Sequence, residues 1–146
     1  MRQGERGARV MTSSGGNGRP AAVVVTVHGT NDADASDHGQ RWWQHGSAFT
    51  EHLAHELAGR GVAPLAFMPV HWSGANSDFD RLQGADRLAR LMRELDASGS
   101  PYALVGHSHG GNVVLEGTAS GRGGSKLAAS VSFGTPFFAR RLTLVP

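Results

Sequence analysis

The stretch "YALVGHSHGGNVV" (residues 102–114) sets Ser108 between two histidines and among three glycines, at the end of an apolar run. A serine on a tight turn from strand to helix is held in a strained backbone conformation that pushes its hydroxyl clear of the sheet. Positions 106 and 110 must lack bulk there, because strand and helix pass close, and both are glycine. The helix N-terminus behind such a turn offers free N–H groups to a developing oxyanion, the amide of His109 among them. Ser108 is therefore a candidate nucleophile. In a chain with 21 glycines the Gly-x-Ser-x-Gly pattern counts only through this context. The competing reading is a glycine-rich turn that cradles a phosphate. It is disfavoured because no Gly-Lys-Ser follows and the glycine spacing does not suit a dinucleotide fingerprint.

A second donor is expected from the loop after an earlier strand. In "VTVHGTN" (residues 25–31) Gly29 permits a sharp turn, and the N–H of Thr30 can then face Ser108, provided the first and third strands are neighbours. The other histidines offer less. His71 ends the second strand, two positions from the serine's strand and beyond hydrogen-bonding reach. His52 and His55 are three apart on a helix, which suits a solvated face better than chelation. His28, His107 and His109 form no metal set, since no carboxylate or cysteine has matching spacing. Trp42, Trp43 and Trp72 suit an acyl pocket or core packing, at least two of them core packing, and Ser73 and Asn76 suit helix capping or substrate contact.

These residues need elements to position them. "AAVVVTVHG" (21–29) is a continuous β-branched run that suits a strand covered on both faces. Phe49, Leu53 and Leu57 recur at spacing four up to Gly61, an amphipathic helix with a glycine stop. "VAPLAFMPV" (62–70) is a second strand whose two prolines place it near an edge. "FDRLQGADRLARLMRELDASG" (79–99) puts Leu82, Ala85, Leu88, Ala89, Met92 and Leu95 on one helical face, with Asp86–Arg90 and Arg90–Glu94 pairs on the other. A strand at 102–106, a helix at 110–120 carrying Val113, Val114 and Leu115, and a strand within 127–137 complete the order. Short helical crossovers between apolar strands imply an α/β fold with a parallel sheet of about four strands. "HGTND", "HWSGAN", "GHSHGG" and "FGTPF" all fall at carboxyl ends of strands, where ligands of such sheets sit.

The chain has 146 residues, no cysteine and a net charge of +2. That length suffices for one domain with a real core. Residues 1–20 carry four arginines against one glutamate, so the excess is basic there and the remaining residues sum to −1. A nucleic-acid partner is therefore not indicated. Residues 1–20 are expected to be a disordered basic Gly/Ser-rich tail, and 21–146 one domain. No apolar run is long enough for a membrane span. With no secretory signal and no cysteine, the expectation is a cytoplasmic protein without cofactor or metal.

The sequence resembles the α/β-hydrolase superfamily, in its lipase and esterase branch. The resemblance is carried by "HGTN" (28–31), "HWSGAN" (71–76), "LVGHSHGGN" (104–112) and "SFGTPF" (132–137), in matching order. It covers nearly everything from Ala21 onward and implies strand order two-one-three-four, Ser108 as nucleophile, His109 and Thr30 as backbone oxyanion donors, and His28 as a shaper of the oxyanion loop. It implies hydrolysis of carboxylic esters, those of lipids or other hydrophobic acyl groups. That family's triad acid and histidine follow the serine, where this chain offers only Glu116, on a helix, and His109, on the elbow itself. The remaining triad members are thus expected beyond Pro146, the sequence being read as an N-terminal portion with little turnover, marginal stability and an open sheet edge for a protein partner. A non-catalytic, hydrolase-derived binding module is the alternative.

Overall fold

The β-branched run that opens the domain sits at the centre of the sheet. The computed structural model describes residues 20–137, and within them β1 (Ala22–Val27) is followed by α1 (Ala48–Ala58), β2 (Leu65–Val70), α2 (Asp78–Ser98), β3 (Tyr102–His107), α3 (His109–Ala119) and β4 (Leu127–Phe133). The four strands form one all-parallel sheet in the order β2-β1-β3-β4. The expected basic tail, residue 20 apart, lies outside the described residues. No helix among the described residues is long and apolar enough to cross a membrane.

Alternation along β1 feeds two cores. Val23, Val25 and Val27 face Leu88, Met92, Leu104, Val113 and Val114, so α2 and α3 cover one side. Val24 faces the other side with Leu65, Phe67 and Val105, where Phe49, Leu53 and Leu57 of α1 pack. Burial of apolar area on both faces is the main stabilising term of the fold. Thr26, buried on the α1 face, donates its hydroxyl to the carbonyl of Trp43 (2.8 Å), so the only polar side chain of β1 is satisfied.

The helices begin and end by local chemistry. Ser47 caps α1 and Ser77 caps α2, each accepting a backbone N–H three residues on. Ser73 and Asn76 do not cap α2. Ser73 instead donates to Asp80 (2.6 Å), and Asn76 accepts from Arg81 (3.2 Å). Helix α1 ends at Ala58, and the chain turns at Gly61 with φ +80°. Pro69 stands in β2, which is an edge strand, as the prolines imply.

Two apolar residues expected in the core are not there. Leu82 is 55% exposed and Leu115 45% exposed. Each lies at the margin of its helical stripe, beside the residues that are buried. Asp86 pairs with Arg90 as expected and also receives Arg122 (2.7 Å) from the turn after α3.

Strand β4 closes the other edge and is exposed along most of its length, Val131 at 51% and Phe133 at 39%. Its entry is fixed by Asp96 at the end of α2. That carboxylate accepts from the N–H groups of Gly124 (2.8 Å) and Lys126 (2.9 Å) and from the Tyr102 hydroxyl (3.2 Å). Burial alone would raise its pKa, but these donors outweigh it and hold the carboxyl below its ordinary value. Burial and the adjacent carboxylate push Tyr102 up to about 12.

Candidate active site

Ser108 joins β3 to α3 with φ 53° and ψ −131°, a conformation that costs on the order of 1–3 kcal/mol for a residue with a Cβ. Only Asn31 shares a positive φ among non-glycine residues described. Ser108 occupies the N-cap position of α3, yet its side chain makes no capping bond. The hydroxyl is left for other chemistry. The turn is held by its backbone: Ser108 N–H donates to the carbonyl of Phe133 (3.0 Å), and its own carbonyl accepts from Gly111 (3.0 Å).

The glycines are demanded by contact. A Cβ on Gly106 would stand 2.8 Å from the backbone of Gly111, and one on Gly110 would strike the carbonyl oxygens of Val27 and His28. One on Gly111 would overlap the side chain of Thr135. On the other side of the serine, a Cβ on Gly29 would lie 2.9 Å from Ser108 Cβ and 3.1 Å from His107 O. The loop after β1 thus rests directly on the elbow, as β1–β3 adjacency requires.

That loop is braced from below. His28 is buried between the rings of Trp43 (5.1 Å between centroids) and Trp72 (5.5 Å, stacked). Its Nδ1 donates to the carbonyl of Gly29 (2.9 Å), and Trp72 Nε1 donates to the carbonyl of His28 (2.9 Å). Burial drives the His28 pKa down against the hydrogen bond to Gly29 and the field of Asp32, with His71 adding to the decrease. The ring is pinned at Nδ1 by the bond to Gly29, and its Nε2 is buried with no hydrogen-bond partner among the described residues. Asn31, at φ 59°, donates its N–H to the carbonyl of Gly74 (2.9 Å), tying the loop to the segment after β2. Between these two anchors, the N–H of Thr30 meets no acceptor among the described residues.

His109 opens α3, which places its amide at the helix N-terminus beside the serine. Its ring turns to the helix: Nδ1 accepts from Asn112 Nδ2 (3.1 Å), which also donates to the carbonyl of Pro136 (3.3 Å). Burial and the charge of Arg81 lower its pKa, with Asp78 opposing. Arg81 is itself bonded to Asn76 and Asp78.

No described histidine reaches Ser108 as a hydrogen-bonded base. His71 is held elsewhere, with Nδ1 against the carbonyl of Asp34 (3.0 Å) and Nε2 against the carboxylate of Asp37 (2.5 Å). Both ring nitrogens are thus directed at the loop after β1. His52 and His55 are exposed on α1, and Glu116 is exposed on α3, away from the elbow's first turn. Among the described residues no three His, Cys, Asp or Glu side chains gather to hold a metal ion. His28, His107 and His109 do not form such a group.

Sequence reasoning did not single out the aromatic shelf beside the elbow. Phe133 packs on His107 (4.8 Å) and on Trp42 (5.0 Å), and Trp42 also meets His107 edge-on (6.1 Å). Trp43 and Trp72 are core residues, whereas Trp42 is only partly buried. The His71–Asp37 pair, 34 residues apart, and the seat of Thr135 on Gly111 were also missed, having no local pattern to reveal them. Compared with known proteins, the chain matches no protein-family model and no curated protein.

Proposed function

We propose that this protein is a serine hydrolase of the α/β-hydrolase type acting on carboxylic esters of hydrophobic acyl groups, lipid esters among them. The observation that carries the reading is the conformation of Ser108, φ 53° and ψ −131° at a strand-to-helix turn, with no partner for its hydroxyl among the described residues. A fold does not relax into such a backbone without a return, and the return offered here is a presented hydroxyl. The acyl carbon would be attacked by Ser108 Oγ. The carbonyl oxygen, as it gains charge, would be met by the amides of Thr30 and His109. Trp42, His107 and Phe133 supply an apolar surface for the acyl group. No cofactor enters the reaction.

A serine without a base is a poor nucleophile, and the described residues hold none against Ser108. That observation favours the second reading, a hydrolase-derived module that binds a ligand or docks a protein along the open edge of β4 without turnover. A fluorophosphonate probe separates the two when used with and without imidazole as an external base. The hydrolase reading predicts covalent labelling that imidazole accelerates and Ser108→Ala abolishes. Failure to label the intact chain under both conditions favours the module.

A further inference from the structure

We propose that the loop between β1 and α1 closes on an acid-released latch, formed by His38 and His45, that sets how firmly Trp42 is held on the shelf beside the elbow. The latch follows from the loop's own geometry and stands whether or not Ser108 is a nucleophile. Two limbs of the loop lie side by side. His38 and His45 form an isolated parallel β-bridge, and their rings meet at 4.9 Å between centroids. Gly39 N–H donates to the carbonyl of His45 (3.1 Å), and His45 N–H donates to the carbonyl of Asp37 (2.7 Å). The enclosed residues, 39–45, include Trp42, whose ring rests on Phe133 (5.0 Å) and Phe49 (5.3 Å). Trp43 is anchored separately, by the Thr26 hydroxyl and the carbonyl of Asp32, and Ser47 donates to the carbonyl of Trp42. Parting the limbs slackens the approach to Trp42 and leaves it held from its C-terminal side, through Trp43 and Ser47.

Two imidazoles at this spacing tolerate one another while neutral and repel when both are charged. His45 is partly buried against the ring of Phe67 on β2 (6.4 Å), so a charge there also loses hydration. Its pKa is lowered by that burial first and by His38 second, with Asp37 opposing. The closed loop therefore binds a proton less readily than an open one, in which His45 takes it near the ordinary 6.5. Closure is complete above that value and is given up as pH falls below it. The other charges of the loop do not undo this. Asp32 and Asp34 are bonded to Arg41, and Asp37 faces Nε2 of His71 (2.5 Å). His71 also meets the carbonyl of Asp34 (3.0 Å), so it grips the outer limb and leaves the join between limbs to the histidine pair.

The test is hydrogen exchange on the full chain, read by mass spectrometry in peptides covering 37–47 and corrected for the chemical effect of pH. Between about pH 7.5 and about pH 5.5, protection of these amides is expected to fall at least about twofold and up to about tenfold. Tenfold is about the limit for one histidine that stays neutral in the closed loop and takes its proton near 6.5 in the open one. Peptides from β3 keep their protection over the same range. His38→Lys, at an exposed position, sets a fixed charge beside His45 and is expected to loosen the loop already at about pH 7.5. His45→Gln flattens the profile, and His71→Gln does not. Acrylamide quenching of tryptophan rises with the loss of protection, as Trp42 leaves Phe133. A parent profile that changes less than about twofold, or a fall that β3 shares, overturns the inference. So does a fall that follows His71 and not His45, or a His38→Lys loop as tight as the parent's.

Discussion

A Cβ placed on Gly29 would stand 2.9 Å from the Cβ of Ser108, closer than such atoms pack. The loop after β1 and the turn that carries Ser108 are therefore in direct contact. Gly29→Ala is expected to push them apart, at a stability cost of about 1–3 kcal/mol from overpacking. Fluorophosphonate labelling should fall at least about tenfold, on the scale of one disturbed oxyanion donor. Labelling kinetics and a thermal melt on the same sample check both parts.

Replacing Ser108 separates strain from chemistry. With φ at 53°, alanine keeps the clash of a Cβ and glycine removes it. Ser108→Gly is expected to be more stable than Ser108→Ala by about 1 kcal/mol, because relief of roughly 1–3 kcal/mol of strain exceeds the added unfolded-state entropy of glycine. Neither variant should label. Denaturant titrations of the pair give the difference.

His71 is a positioned structural residue with both ring nitrogens occupied. His71→Gln should leave labelling of Ser108 within about twofold of the parent chain, well short of the 10²–10⁴-fold that loss of a general base brings. A loss of that size would identify His71 as the base.

Asp96 makes the approach to β4 sensitive to acid. Its pKa is lowered in the fold from an ordinary 3.8, despite burial, because backbone N–H groups and the Tyr102 hydroxyl favour the charged form. A carboxyl with a depressed folded pKa contributes stability above its unfolded value and loses it as pH falls through the folded one. The contribution is thus full at neutral pH, begins to fall near the ordinary value of 3.8 and is lost as pH drops through the lower folded value. Asp96→Asn should lower the melting temperature at pH 7 and flatten its decline on acidification. Melts from pH 7 to pH 2 show whether the two curves converge.

The margins of α2 are open to a direct comparison. Leu88 is fully buried and Leu82 is 55% exposed. Leu88→Ala is expected to cost about 2–5 kcal/mol, and Leu82→Ser to stay within about 0.5 kcal/mol. Urea unfolding of both variants decides it.

The contrast between Leu82 and Leu88 also shows what a one-dimensional pattern can convey. Spacing identifies an apolar stripe, but which of its edges meets the sheet depends on how the helix is laid down, and that is set by residues far away in the chain. The parallel sheet was legible because β1 is apolar on both faces and each helix is bounded by local capping or glycine signals. The elbow was legible because Gly106, Ser108 and Gly110 are neighbours in sequence. What escaped was pairing at a distance: Asp37 with His71, Thr135 with Gly111, and Phe133 with Trp42. The capping serine of α2 was misplaced for a simpler reason, since Ser73, Asn76 and Ser77 all have side chains that can cap, and it is Ser77 whose hydroxyl accepts from Asp80 N–H.

The amide of Ser108 hangs on the carbonyl of Phe133, the last residue of the outermost strand. The serine's turn is thus moored to the rim of the sheet as well as resting on the loop after its central strand. Any ribbon that zips onto that rim would damp the sway of β4 and, through this single bond, steady the serine's aim.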